Sequence, residues 1–125
     1  MISVKDISKR FGENHVLQDV SFEFEQGKTN LIIGESGSGK TTLLKVMIGL
    51  HQSDSGVVRY DDRNFTEMNF QQRKALRKEI GMLFQGGALF DYMNVEENII
   101  FPLNMFAEKS YEENLERVNF CLKRV

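Results

Sequence analysis

At 125 residues the chain has the length of one small domain, and its 41% hydrophobic and 27% charged residues exclude a disordered or fibrous protein. Lys+Arg 16 against Asp+Glu 18 gives a net charge of −2, with no basic excess to draw nucleic acid and no acidic tail for a basic partner. Cys121 is the only cysteine, which excludes an intrachain disulfide and a cysteine-built zinc site. No apolar run is long enough to span a bilayer, and Met1 to Asp6 lacks the basic-then-apolar order of a signal peptide. A reducing, cytoplasmic setting is expected.

Ile2 and Val4 alternate with Ser3 and Lys5, which predicts a short first strand. Val20, Phe22 and Phe24 alternate with Ser21, Glu23 and Glu25 in the same way, before a turn at Gln26-Gly27-Lys28. Together they predict a β-rich, antiparallel N-terminal portion. Leu31-Ile32-Ile33 is apolar at consecutive positions, as in a central strand buried on both faces. A glycine-rich loop follows, then a mostly apolar helix from about Lys40 to Leu50, and a further short strand over Gly56–Tyr60. Gln71 to Lys78 reads as a solvated helix face.

Three helix starts carry a capping residue with Glu or Gln three positions on: Asn69 with Gln72, Asn94 with Glu97, and Ser110 with Glu113. Ile80 to Phe84 predicts a second buried strand. The last helix is expected to bury Tyr111, Leu115, Val118, Leu122 and Val125 on one face, with Cys121 as a small buried hydrophobe. That stripe runs to Val125 with no stop signal behind it, which reads as a cut rather than a natural end. His15 and His51 read as surface residues.

The loop Gly34-Glu35-Ser36-Gly37-Ser38-Gly39-Lys40-Thr41-Thr42 satisfies the phosphate-loop pattern G-x-x-x-x-G-K-[ST]. Its glycines let backbone N–H groups approach phosphate oxygens without a Cβ in the way. The helix opening at Lys40 adds its positive end to the same anion site. Lys40 is expected to reach the β- and γ-phosphates of ATP, Thr41 to take a place on Mg²⁺, and Thr42 to offer a hydroxyl to a more proximal phosphate.

The chain resembles the ATP-binding subunits of ABC transporters. The likeness is carried by Lys9-Arg10-Phe11-Gly12 ahead of Val16-Leu17-Gln18-Asp19-Val20, by the Ser-Gly-Ser-Gly-Lys-Thr-Thr form of the loop, and by Ile80-Gly81-Met82-Leu83-Phe84-Gln85. It implies an α/β fold, a P-loop NTPase (RecA-like) core with an antiparallel N-terminal β portion. By the same resemblance Phe11, with Val16 beside it, stacks on adenine, and Gln85 touches Mg²⁺ and the attacking water as a sensor facing the membrane subunit. Gly87 to Asn98 and Phe101-Pro102-Leu103-Asn104 most resemble the Mla-type, phospholipid-trafficking branch, although amino-acid importers share much of the pattern.

The family's later motifs, a Leu-Ser-Gly-Gly-type signature, an Asp-Glu strand end and a γ-phosphate-sensing histidine, are not among these residues. Residues 1–125 are therefore expected to be the N-terminal part of one nucleotide-binding domain, able to bind nucleotide but not to turn it over. The strands expected at 31–33 and 80–84 would then face a gap where their neighbours belong. The resemblance further implies a transmembrane permease subunit as partner and a second, head-to-tail copy of the subunit. It places the protein in the cytoplasm on the inner face of the cell membrane, with no nucleic-acid partner. A soluble ABC protein acting on DNA or the ribosome, and a small P-loop kinase, are the alternatives. The kinase would need an arginine-rich lid, and the arginines here are scattered.

Overall fold

The computed structural model describes residues 1–106 and 110–125. The chain divides into two compact units, Met1–Glu79 and Ile80–Val125. The first is built on a four-stranded sheet, in the order β2-β1-β3-β4, from β1 (Ile2–Phe11), β2 (Asn14–Phe24), β3 (Ser55–Tyr60) and β4 (Arg63–Asn64). Every pairing is antiparallel, as the alternation at Val20–Phe24 predicts.

β1 runs on well past Val4, through two polar bulges in its ladder with β2. Asp6 and Asp19 adopt φ of 52° and 46° and interrupt the ladder between β1 and β2. Ser21 Oγ accepts the Asp6 N–H at 2.7 Å and donates to Asp6 Oδ1 at 3.0 Å. Ser8 Oγ does the same for Asp19, with both bonds at 3.0 Å. Each bulge thus has its freed backbone donor satisfied by the facing serine, which keeps a distorted ladder affordable. Where the period breaks, alternation no longer reports the strand, so only its first residues were legible.

Val4, Ile7, Leu17, Val58 and Tyr60 of the sheet are buried, as are Leu43, Val46 and Met47 of α1 (Lys40–Met47). Tyr60 fastens the two layers: its hydroxyl donates to the Met47 carbonyl at 3.0 Å, and its ring meets Phe65 edge-on at 5.6 Å. Burial pushes the Tyr60 phenol up to about 12 from 10.0. The unfolded chain therefore loses this proton first. Its stabilisation is complete below pH 10 and is lost as pH rises towards about 12. In alkaline thermal melts, Tyr60→Phe is expected to flatten that fall.

α1 stops earlier than expected. Gly49 N–H returns to Val46 O at 3.0 Å and Leu50 N–H to Lys45 O at 2.8 Å, which close the helix end. Arg77, at the end of α2 (Phe70–Arg77), then donates to the Ile48 and Gly49 carbonyls, both at 2.8 Å. Arg73 donates to Thr66 O at 2.7 Å and lies over the Phe65 ring at 5.3 Å. The run Gln71–Lys78 is thus more than a solvated face, since two of its arginines hold α2 to the backbone beside it. Arginine's fixed fork suits it to paired carbonyls.

The strands expected at 31–33 and 80–84 do not form. Neither segment enters a ladder among the described residues. Leu31, Ile33 and Leu83 are 82%, 81% and 97% exposed. A parallel strand exists only by pairing with its neighbours, and no strand among the described residues lies beside either segment.

In the second unit, α3 (Val95–Phe106) and α4 (Tyr111–Leu122) pack together. Asn98 organises the turn before α3. It accepts the Phe90 N–H at 2.8 Å and donates towards the Phe90, Met93 and Asn94 carbonyls, each at 3.0 Å. Phe90 packs edge-on against Phe101 at 4.7 Å. α4 buries Asn114 and Val118, whereas Tyr111 and Leu122 are 58% and 43% exposed and Val125 is fully exposed. Asn114 turns the face because its amide donates to Asn104 of α3 at 3.0 Å. Cys121 is half-buried and free.

All three expected capping pairs form. Asn69 with Gln72 and Ser110 with Glu113 bond reciprocally, and so do Asn94 and Glu97, at 2.8 and 2.9 Å.

Candidate functional site

The glycine-rich loop runs from Gly34 into the first turn of α1. Gly39 stands at the helix start with φ 91° and ψ 1° and is buried. A Cβ there would lie 2.8 Å from the Val16 carbonyl oxygen and 3.0 Å from Leu17 Cδ2. The end of the loop therefore rests directly on the backbone of β2, and Val16 is the residue that positions it.

Unlike α2, α3 and α4, α1 has no side-chain cap; its first turn, like that of α2, holds no acidic residue. Its leading N–H groups are left for a ligand to satisfy. Lys40 curls back over the loop, donating from Nζ to the Gly34 carbonyl at 2.8 Å and the Glu35 carbonyl at 2.6 Å. Ser38 N–H bonds to Glu35 O at 3.2 Å and tightens the turn. Residues 34–38 and Thr41 are exposed, and Thr42 is half-buried. A loop with an ammonium across its mouth, an open helix start and hydroxyls at Ser36, Ser38, Thr41 and Thr42 offers donors to a multiply charged oxyanion. Among the described residues no group of three or more His, Cys, Asp or Glu could hold a metal ion.

Phe11 closes the β1–β2 hairpin opposite Asn14 and is 45% exposed. Its surroundings went unread in the sequence. His51 is half-buried, not a plain surface residue, and its ring meets Phe11 edge-on at 5.3 Å. Lys9 Nζ lies 5.4 Å from the same ring and pairs with Asp54 at 2.9 Å. Asp54 also accepts the Arg10 N–H at 2.6 Å, and these two bonds hold its carboxyl below the usual range. Ser53-Asp54-Ser55 signals a turn in sequence, but nothing there says that the turn folds back on Phe11. His15 is exposed.

Gln85 belongs to the second unit, exposed on a bend after the irregular run 80–84. Phe11, Val16 and the loop 34–42 share the first unit.

The sequence pattern of the ABC transporter family matches residues 17–125. The chain is 36% identical to the methionine import ATP-binding protein MetN of Clostridium tetani, over 100% of this chain and 39% of that protein. It is 31% identical to the phosphonates import ATP-binding protein PhnC of Fusobacterium nucleatum, over 100% of this chain and 53% of that one. Its structure superposes with a TM-score of 0.86 on a bacterial ABC transporter cassette solved as a dimer, at 30% identity, over 98% of this chain and 56% of that one. The chain thus spans about a third to a half of the curated relatives' length. With an antiparallel N-terminal sheet and a phosphate-loop motif on an α/β frame, the chain belongs to the ABC transporter family.

Proposed function

We propose that the chain is the nucleotide-binding portion of an import ATPase subunit, holding Mg-ATP at the loop Gly34–Thr42 for transport driven by its hydrolysis. The observation that carries this reading is Lys40 folded over a loop whose helix start is left uncapped. The Lys40 ammonium would exchange two neutral carbonyls for phosphate oxygens, a stronger, charge-assisted bond. Gly37, Ser38 and Gly39 would aim backbone N–H groups at the same phosphates, with Gly34, Glu35 and Ser36 forming the rest of the cradle. Thr42 adds a hydroxyl. Among the described residues no carboxylate cluster is at hand, and the Thr41 hydroxyl would hold Mg²⁺ together with the nucleotide itself. Bound there, magnesium would supply neutralisation of the phosphate charge.

The transported substrate follows the relatives rather than the lipid-trafficking likeness of Gly87–Asn98. The described relatives are import proteins, for methionine and phosphonates, and this favours the amino-acid-type importer over phospholipid traffic. The same reading gives the subunit a transmembrane permease partner docked near Gln85–Asn98 and a second copy of itself. It also puts the subunit on the cytoplasmic face of the membrane. No helix among the described residues is long and apolar enough to cross a bilayer. Residues 1–125 would be the N-terminal part of one nucleotide-binding domain, with a second half supplying the signature, the general base and the γ-phosphate sensor needed for turnover.

Titration with a fluorescent ATP analogue tests the assignment. Lys40→Ala is expected to weaken binding by about 1.5–3 kcal/mol, roughly tenfold or more. Unchanged affinity would sink it. Phe11→Ala is expected to weaken ATP binding while leaving inorganic tripolyphosphate binding untouched, and Phe11→Tyr to retain both, because stacking needs only a π face. Equal loss for both ligands would make the ring a structural element only.

A further inference from the structure

The last three residues of β1 have no partner in β3, because the ladder between those strands ends at the Ser8–Ser55 pair. Their ladder with β2 is irregular as well, shifting register between Ile7 and Lys9 and again between Lys9 and Arg10. The sheet alone therefore gives the Phe11 ring a weak anchor. Asp54, the residue before β3, fills the place a strand would take. Its N–H donates to the Ser8 carbonyl at 2.9 Å. Its Oδ2 accepts the Arg10 N–H at 2.6 Å, and its Oδ1 accepts from Lys9 Nζ at 2.9 Å. The ammonium held in this way stands 5.4 Å from the centre of the Phe11 ring. The Lys9 side chain is only 16% exposed, so the pair is better sheltered than an ordinary surface ion pair. His51, three residues before Asp54, meets the same ring edge-on at 5.3 Å. Its own N–H returns to the Lys45 carbonyl of α1 at 3.1 Å. The segment that supports the ring thus hangs from the helix whose first turn presents the phosphate loop.

We infer that Asp54 is the positioning residue for the base: it fixes the Phe11 ring relative to the phosphate loop, and so sets how much of the affinity for ATP comes from adenine. The inference rests on the reading of Phe11 as the adenine platform and adds what holds that platform in register with the phosphates. A ring already in place loses little freedom when the base stacks on it, whereas a loosely held ring must be ordered at the expense of affinity. Asp54 touches neither base nor phosphate in this account. It acts through the Arg10 backbone and the Lys9 ammonium on either side of the peptide that leads into Phe11.

A double-mutant cycle on the intact subunit tests it. Isothermal calorimetry gives the affinities for the non-hydrolysable β,γ-imido analogue of ATP and for inorganic tripolyphosphate. The readout is the ratio of the two, from which the change of charge at residue 54 largely cancels. Asp54→Ala is expected to lower this ratio severalfold with tripolyphosphate still bound, and to lower it no further once Phe11→Ala is present. Asp54→Asn keeps the size and gives up the ion pair with Lys9, and is expected to show a smaller fall. It carries the same cycle if the alanine variant no longer binds tripolyphosphate. An unchanged ratio, with equal loss or none for the two ligands, would make Asp54 a general support of the fold and overturn the inference. So would a fall that persists in full beside Phe11→Ala. In both cases the adenine reading stands. If Phe11→Ala by itself leaves the ratio unmoved, the adenine reading fails and the inference fails with it.

Discussion

Gly39→Ala is expected to abolish nucleotide binding at concentrations that saturate the unmodified chain. The added Cβ would lie 2.8 Å from the Val16 carbonyl oxygen, a backbone atom that no rotamer change can move. Leu17 Cδ2 at 3.0 Å and Val16 Cγ1 at 3.2 Å close the remaining room. The left-handed backbone at φ 91° adds about 1–2 kcal/mol for a residue with a side chain, and the crowding roughly 1–3 kcal/mol more. The loop can relieve both only by lifting off β2, which swings the leading N–H groups of α1 away from their common focus. Gly37→Ala is the control, since φ there is 83° but nothing lies within 4 Å of the added Cβ. It should lose a few-fold in affinity through strain alone. The same ATP-analogue titration reads both variants, and equal losses would show that contact with β2 does not set the loop.

Gly56→Ala is expected to unfold the first unit or leave it marginal. Its Cβ would fall 2.4 Å from the Asp6 carbonyl oxygen and 2.5 Å from both the Asp6 carbonyl carbon and the Lys5 oxygen, at φ 88°. All three are backbone atoms of the bulged stretch of β1, the strand that pairs with both neighbours. Nothing there can give without breaking the β1–β3 ladder. Strain and overpacking together come to about 2–5 kcal/mol, a large share of the ~5–15 kcal/mol that stabilises a complete domain. Urea unfolding followed by far-ultraviolet circular dichroism should show the transition shifted by more than 1 M, taking roughly 1–3 kcal/mol per molar as the slope. A midpoint unchanged within error would show that β1 and β3 are not packed as described.

Local rules made the helix starts legible, because Asn69, Asn94 and Ser110 bond to residues three positions away and a reader needs no tertiary knowledge to see it. The local shape of the loop 34–42 was legible for the same reason, since Lys40 closes it on the Gly34 and Glu35 carbonyls only a few residues away. Long-range features were not. The support of Phe11 by His51 and Asp54 spans some forty residues, and the bulges at Asp6 and Asp19 depend on serines in the facing strand. Arg73 and Arg77 look like ordinary solvated charges until the carbonyls they reach are known. Leu31–Ile33 and Ile80–Phe84 have the composition of buried strands, yet composition gives only a capacity to pair. The pairing itself belongs to a neighbour, and both segments stay outside any ladder here, with Leu31, Ile33, Leu83 and Phe84 exposed. The lipid-trafficking likeness failed to carry over for a related reason: it rested on the stretch after Gln85, where importers share much of the pattern.

The central claim, that the loop from Gly34 to Thr42 is the phosphate site, is tested most directly by following backbone amide resonances of the ¹⁵N-labelled chain during titration with Mg-ATP. The account predicts the largest, saturable shifts at Gly37, Ser38, Gly39, Lys40, Thr41 and Thr42. Inorganic tripolyphosphate should reproduce these, while shifts around Phe11 and His51 should appear only with the nucleotide. Saturable shifts elsewhere with those six amides unmoved, or no shifts at millimolar Mg-ATP, would contradict it.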